Sequence, residues 1–217
     1  MNPAPPVRRI VAMSPHLTLK PPREQDFYLR PTEAVARDLL GCLLVRDADG
    51  QRMVGRIVEV EAYLGARDAA CHSFRGRTKR NAVMFGPGGH AYVYFIYGFY
   101  HCLNVVTLGE GEPEAVLIRA LEPVEGQELM RTNRKGRPNL CNGPGVLCQA
   151  LGIDRSFNGH ALWLKPLQIC PGALLTDEHI ASTPRIGVDY AGEAAAWPLR
   201  FCIEGNAHVS KARKFKV

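Results

Sequence analysis

Apolar positions change period several times along the chain, and each change marks an element. Val35, Ala36, Leu39 and Leu40 recur at helical spacing behind Pro31-Thr32-Glu33. Thr32 is placed to cap this helix, Glu33 suits its positive end, and Gly41 is placed to stop it. Residues 42–46 and 53–64 read as strands, joined by a turn at Asp47-Ala-Asp-Gly50. A loop rich in Gly and Arg follows, from residue 65 to residue 89. Residues 90–97 and 100–107 are β-branched and aromatic around Gly98, which predicts a hairpin, and residues 115–121 predict another strand. Helices are expected at 124–132 and 145–151, and short strands at 163–167, 185–188 and 199–203. The strands cluster and are joined mostly by turns and loops, without regular β-α alternation. That order predicts an α+β domain: a curved, largely antiparallel sheet, open-barrel-like, flanked by helices and long loops.

A length of 217 residues fits one domain. Residues 1–22 carry six prolines and no apolar period, so a flexible arm is expected there, followed by a single domain over 23–217 with a basic C-terminal tail. No apolar run approaches the roughly 20 residues that span a bilayer, and the first residues lack the apolar stretch of a secretory signal. The expectation is a cytoplasmic protein with no membrane partner. The seven cysteines are scattered without a C-x-x-C pair, and the spacing of Cys71-His72, Cys141 and Cys148 matches no common zinc pattern. Buried free thiols and no metal are therefore expected.

Charge distribution sharpens the picture. The net charge is +6, yet residues 75–80, 131–137 and 211–216 hold four basic residues each and no acid. These segments supply +12 and leave −6 on the rest of the chain. Concentrated positive charge on an acidic body points to a polyanion, DNA or RNA first.

The strand at 53–64 places Glu59, Glu61 and Tyr63 on one face. Two such carboxylates serve either a solvated face or a cleft in which one deprotonates water. Residues 92–97 alternate Tyr92, Tyr94 and Ile96 with Val93, Phe95 and Tyr97, and Tyr97 precedes the turn glycine. The rings either fill a core or stack on nucleobases, a contact worth roughly 1–3 kcal/mol. Asn104 and Arg119 lie on apolar strands, where an arginine needs an anionic partner such as Glu61. That pair would serve equally as a structural ion pair or a catalytic one.

Taken together, Val58-Glu-Val-Glu-Ala-Tyr-Leu-Gly65, Ala70-Cys-His-Ser73, Arg80-Asn81, the run from Met84 to Gly98, Cys102-Leu-Asn104, Leu117-Ile-Arg-Ala-Leu-Glu-Pro123, Asn142-Gly-Pro144, Arg185-Ile-Gly-Val188 and Pro198-Leu-Arg-Phe201 resemble the 3-methyladenine (alkyladenine) DNA glycosylases. The resemblance spans roughly residues 25–207 and rests on the order and spacing of many blocks. It implies that Glu61 is the general base, that Arg119 helps hold the attacking water, and that the Ile186 carbonyl supplies a further water contact. It implies a base pocket of Tyr63, His72 and Tyr94, with Asn104 discouraging normal guanine and Tyr97 filling the gap in the stack. Family members are monofunctional hydrolases without metal or cofactor, acting on alkylated purines and often on hypoxanthine or ethenoadenine. Lys79 stands where many relatives have proline, and the basic tail is no family landmark.

The expected partner is double-stranded DNA containing damaged purines, met by a monomer. Arg77 and Arg80 are expected on phosphates, and no lysine falls at a matching catalytic position, so no lyase step is expected. Two rivals are a non-catalytic nucleic-acid-binding module and a formyl-transferase-like enzyme on a related fold. A carboxylate facing Arg119 in a pocket argues against the first, and a tyrosine tip beside cationic loops against the second.

Overall fold

A long strand with two kinds of neighbour organises the chain. The computed structural model describes residues 17–96 and 98–210. Eight strands form one antiparallel sheet: β1 (Leu43–Ala48), β2 (Gln51–Tyr63), β3 (Ala91–Ile96), β4 (Tyr100–Thr107), β5 (Glu114–Glu125), β6 (Leu167–Cys170), β7 (Ile180–Thr183) and β8 (Arg200–Ile203). The main path runs β3-β4-β5-β2-β1-β6. Along one edge β2 pairs first with β1, over residues 51–56, and then with β8, over residues 59–61. Its other edge pairs with β5. This change of partner curls the sheet into the expected half-barrel, with helices and loops around it.

Where β2 switches partner, its register with β5 slips twice. Ile57 faces Leu121 and Glu59 faces Ala120, so Val58 is extra; Val60 then faces Ile118, so Arg119 is extra. Bulges of this kind re-aim a side chain and increase local twist. Beyond them the strands return to register, and one rung crosses the sheet through Tyr92, Asn104, Leu117, Glu61 and Arg200. Residues paired along a rung share a face.

Three helices cover the sheet: α1 (Thr32–Leu39), α2 (Gln127–Asn133) and α3 (Pro144–Leu151). Helix α1 buries the stripe Val35, Ala36 and Leu39, and α3 buries Leu147, Cys148, Ala150 and Leu151. A Cβ on Gly145 would lie 2.7 Å from the Tyr100 ring, so a glycine is needed for α3 to pack this closely on β4. One continuous core joins these helices to the inner residues of β2, β4 and β5. The seven cysteines are free and buried.

Several expectations need correction. Pro31 occupies the N-cap of α1, and Thr32 lies inside the helix, its hydroxyl bonded to Thr107 at 2.7 Å and Glu114 at 2.5 Å. Residues 124 and 125 belong to β5, and α2 starts only after Gly126. The segment 163–167 is not a strand: Pro166 has no N–H for a ladder, and β6 begins after it. The segment 185–188 forms a bend, because Gly187 takes φ +77° and the Ile186 N–H bonds a side chain instead of a strand. Strand β7 precedes it, unforeseen. Residues 1–16, 97 and 211–217 lie outside the described residues, and with them most of the expected arm, the tip Tyr97 and the basic tail. Residues 17–22 lack regular structure; the Leu17 N–H meets Glu125 at 3.2 Å and its carbonyl accepts from Arg52 at 2.8 Å.

Leu103 on β4 is fully buried in the core. Leu103→Ala should lower stability by about 2–5 kcal/mol through lost burial and a cavity. Equilibrium denaturation checks this, and an unchanged midpoint would contradict the assigned packing.

Candidate active site

The bulge at Arg119 places one guanidinium between two buried carboxylates. Glu59 and Glu61 are 0% exposed, and Arg119 is 8% exposed. Arg119 donates from Nε to Glu59 at 3.0 Å and from Nη1 to Glu61 at 3.3 Å. Glu59 also accepts from Arg200 Nε at 2.7 Å, Ser210 N–H at 2.6 Å and Ser210 Oγ at 2.8 Å. Glu61 has fewer donors. Besides Arg119, it accepts from the Tyr63 hydroxyl at 2.9 Å and the Ile186 N–H at 2.8 Å. Glu59 is thus saturated and structural, whereas Glu61 keeps capacity for another donor. Burial opposes the charged form of Arg119, but Glu61 and Glu59 together outweigh it and hold its pKa above the ordinary arginine value.

Above this group lies a cleft of about 880 Å³. Tyr63, His72, Tyr94, Asn104, Arg119 and Ile186 all line it. Glu61 does not line it; the carboxylate sits directly beneath, and its three donors form the wall above. Asn104 is anchored by Nδ2 to the Tyr92 carbonyl at 3.1 Å. The His72 ring stands edge-on to Tyr94, centroids 4.5 Å apart, and its Nδ1 pairs with the Tyr92 hydroxyl at 2.9 Å. Its ring is also edge-on to Tyr92, centroids 6.0 Å apart. Burial, then the Arg80 charge, lowers its pKa below the usual 6.5, so the imidazole is neutral at physiological pH. Burial raises the Tyr94 pKa, and burial with the Glu61 charge raises that of Tyr63. Both phenols therefore stay protonated, and Tyr63 acts as a donor to Glu61.

Arg77 and Arg80 lie outside the cleft lining, on the loop after His72. The Arg80 guanidinium is 5.3 Å from the Tyr94 ring and donates to the Phe95 carbonyl at 3.3 Å. Arg77 is 5.8 Å from the Phe85 ring. Asn81 ties this loop down, donating to the His72 carbonyl at 2.9 Å and the Gly76 carbonyl at 3.0 Å. Among the described residues, no group of three His, Cys, Asp or Glu could hold a metal ion, and no helix is long and apolar enough to cross a membrane.

This geometry coincides with a broad likeness to known proteins. Residues 26–207 match the methylpurine-DNA glycosylase family. Relatives that carry the provisional name 3-methyladenine DNA glycosylase include one from Myxococcus xanthus, 51% identical over 187 residues, which covers 86% of this chain and 92% of the relative. One from Methanoculleus marisnigri is 53% identical over 191 residues, covering 85% and 96% of the two chains. One from Bacillus cereus is 49% identical over 201 residues, covering 86% and 97%. The chain belongs to the methylpurine-DNA glycosylase family.

The glycosylase site also depends on residues that sequence reasoning missed. Asp68 and Arg185 form an ion pair with both side chains 0% exposed. Asp68 accepts from the Leu64 and Ala70 N–H groups at 3.0 Å each. Arg185 donates to Asp68 at 2.5 and 2.8 Å, to the Ala62 carbonyl at 2.9 Å and to the Ala194 carbonyl at 3.1 Å. Its guanidinium stacks 4.7 Å from the Tyr63 ring. The pair therefore fixes Tyr63 and the bend that delivers the Ile186 N–H to Glu61. An arginine in the apolar run Arg185-Ile-Gly-Val188 gives the same signal as Arg119; Asp68, in a loop without period, gives none. Tyr92, which orients His72, looked like any tyrosine on its strand.

Asp68→Asn would leave Arg185 buried without a counter-charge and should cost about 3–5 kcal/mol of stability. Denaturation midpoints measure this, and a loss under 1 kcal/mol, roughly the worth of a surface pair, would count against the strut. For His72, an NMR pH titration should give a midpoint below 6.5. Arg80→Gln removes a positive neighbour and should raise that midpoint; a wild-type value above 6.5 would contradict the assigned surroundings.

Proposed function

We propose that this DNA glycosylase extrudes a damaged purine nucleotide from double-stranded DNA and hydrolyses its N-glycosidic bond with a water activated by Glu61. The observation that carries the reading is the Glu61 carboxylate, fully buried beneath a cleft lined by Tyr63, His72 and Tyr94, with Arg119 alongside. The substrates are alkylated adenine and guanine, with hypoxanthine and ethenoadenine as further candidates.

Extrusion costs a few kcal/mol, least at damaged or mispaired bases. Tyr97 at the hairpin tip would fill the vacated space, and Arg77 and Arg80 would meet phosphates. In the cleft the purine would stack against Tyr63, His72 and Tyr94. A neutral His72 spares a cationic alkylpurine from charge repulsion, and tyrosine faces favour it by roughly 0.5–2 kcal/mol. Asn104, held at the Tyr92 carbonyl, would crowd the exocyclic amino group of guanine and so discourage normal guanine, which lacks the cationic ring that favours an alkylated one.

Bond breaking generates an oxocarbenium-like sugar. An ionised Glu61 stabilises that cation and takes the proton of the attacking water. The 3.3 Å contact from Arg119 is the loosest of the three at Glu61. A cleft water would bridge guanidinium and carboxylate there, since such contacts tighten only when the reacting complex assembles. The Ile186 carbonyl would complete its coordination. A cationic alkylpurine departs as a neutral base and needs no proton, whereas neutral hypoxanthine or ethenoadenine would take one from an acid or from solvent. The described residues that line the cleft include no lysine. An amine for a Schiff base is therefore missing from this wall, and we read the reaction as hydrolysis without strand nicking.

Duplexes carrying hypoxanthine, ethenoadenine or methylated purines provide the test. Glu61→Gln should slow single-turnover base release by about 10²–10⁴-fold while binding to abasic-site DNA stays near that of wild type. Excision retained by the variant would remove Glu61 from the mechanism. Wild type without any free-base release would favour a non-catalytic binding module.

A further inference from the structure

A buried arginine with no counter-ion among the described residues stands in another part of the same cleft. Arg134 is 4% exposed. It donates only to neutral acceptors, the Asn139 carbonyl at 3.1 Å and the Gln149 side-chain oxygen. Among the described residues it has no carboxylate partner, unlike Arg56, Arg119 and Arg185, each of which is ion-paired. Buried charges are ordinarily paired, so this one implies an anion that arrives from outside.

The surroundings enlarge the demand. Arg134 ends α2, and a tight turn with Lys135 at φ +52° and Gly136 at φ +73° follows. The Arg137 N–H closes this turn on the Arg134 carbonyl at 3.2 Å. Both arginines line the cleft, as do Gly145 and Val146 from the first turn of α3, whose backbone N–H groups carry the positive end of the helix dipole. Burial, then the Arg137 charge, pushes the Arg134 pKa below the ordinary arginine value, as expected for a cation that lacks an anion.

We propose that Arg134 and Arg137, with the first turn of α3, form a phosphodiester-binding site for the backbone beside the extruded nucleotide. This inference rests on the glycosylase reading and deepens it. A cleft of about 880 Å³ is in the range that holds a ligand larger than a base alone. With the base against Tyr63, His72 and Tyr94 and the sugar over Glu61, the phosphate is the anionic part of the nucleotide left to meet the two arginines. The guanidinium fork matches phosphate geometry, and the anion would relieve the unpaired charge of Arg134. The site would hold the sugar in place over Glu61, whereas Arg77 and Arg80 lie on a separate loop.

The test is equilibrium binding to a duplex with a stable abasic-site analogue across a range of KCl. Arg137 is exposed, so Arg137→Gln should leave the fold intact. It should weaken binding and reduce the slope of log K against log salt by about 0.9, the release expected for one phosphate contact. A neutral methylphosphonate at one of the two phosphates flanking the abasic site should weaken wild-type binding similarly, with little further loss in Arg137→Gln. Arg134→Gln should behave alike if denaturation shows that it folds. Unchanged affinity and slope in Arg137→Gln, or additive losses at both flanking phosphates, would overturn the site. Wild-type protein that neither binds the abasic duplex nor releases base would overturn the glycosylase reading with it; normal base release by wild type with an unaffected Arg137→Gln would overturn the phosphate site alone.

Discussion

One guanidinium shared by two buried carboxylates underlies both the shape and the chemistry of this protein. Without Arg119, Glu59 would keep Arg200 and Ser210, but Glu61 would keep only two neutral donors. A buried carboxylate left in that way would lack its counter-charge. The double bulge is therefore more than a kink. It accommodates an extra residue on each strand where β2 exchanges β1 for β8, and there Arg119 joins the two acids. The same bulge gives the candidate base its counter-charge.

Around this centre, charge is arranged in layers. The floor holds Glu61, suited to the positive sugar that forms as a glycosidic bond breaks. The walls are tyrosines kept protonated by burial and a histidine kept neutral by burial and Arg80, so they offer stacking surface without full charge. Arginines 77, 80, 134 and 137 surround them and suit a polyanion. A nucleotide has the complementary order of base, sugar and phosphate. The Asp68–Arg185 pair keeps two of these layers in register, because it grips Ala62, Tyr63 and the bend at Ile186 together.

Legibility in the sequence followed the range of the forces involved. Strand β2 was readable because period-two alternation is imposed by its own backbone, and α1 because Val35, Ala36 and Leu39 mark one helical face. The hairpin of β3 and β4 was readable from β-branched and aromatic residues around Gly98. The segments 163–167 and 185–188 misled because a few apolar residues resemble a strand whether or not a partner edge exists. At 186 the backbone N–H satisfies a carboxylate on a distant strand, a choice that no local pattern records.

By itself the sequence determined which residues could do chemistry. A carboxylate and a tyrosine two apart on a strand, an arginine among apolar neighbours and three basic segments carry their meaning in composition and period, which short-range sterics and solvation fix. Tertiary structure alone decided which of two similar acids is saturated and which keeps an open acceptor. It also decided that Asp68 braces the site and that Arg134 is buried on neutral acceptors, with no carboxylate partner among the described residues. Those outcomes depend largely on contacts between distant parts of the chain, such as Glu61 with Ile186 and Asp68 with Arg185, and burial and hydrogen bonding over such separations are properties of the folded arrangement.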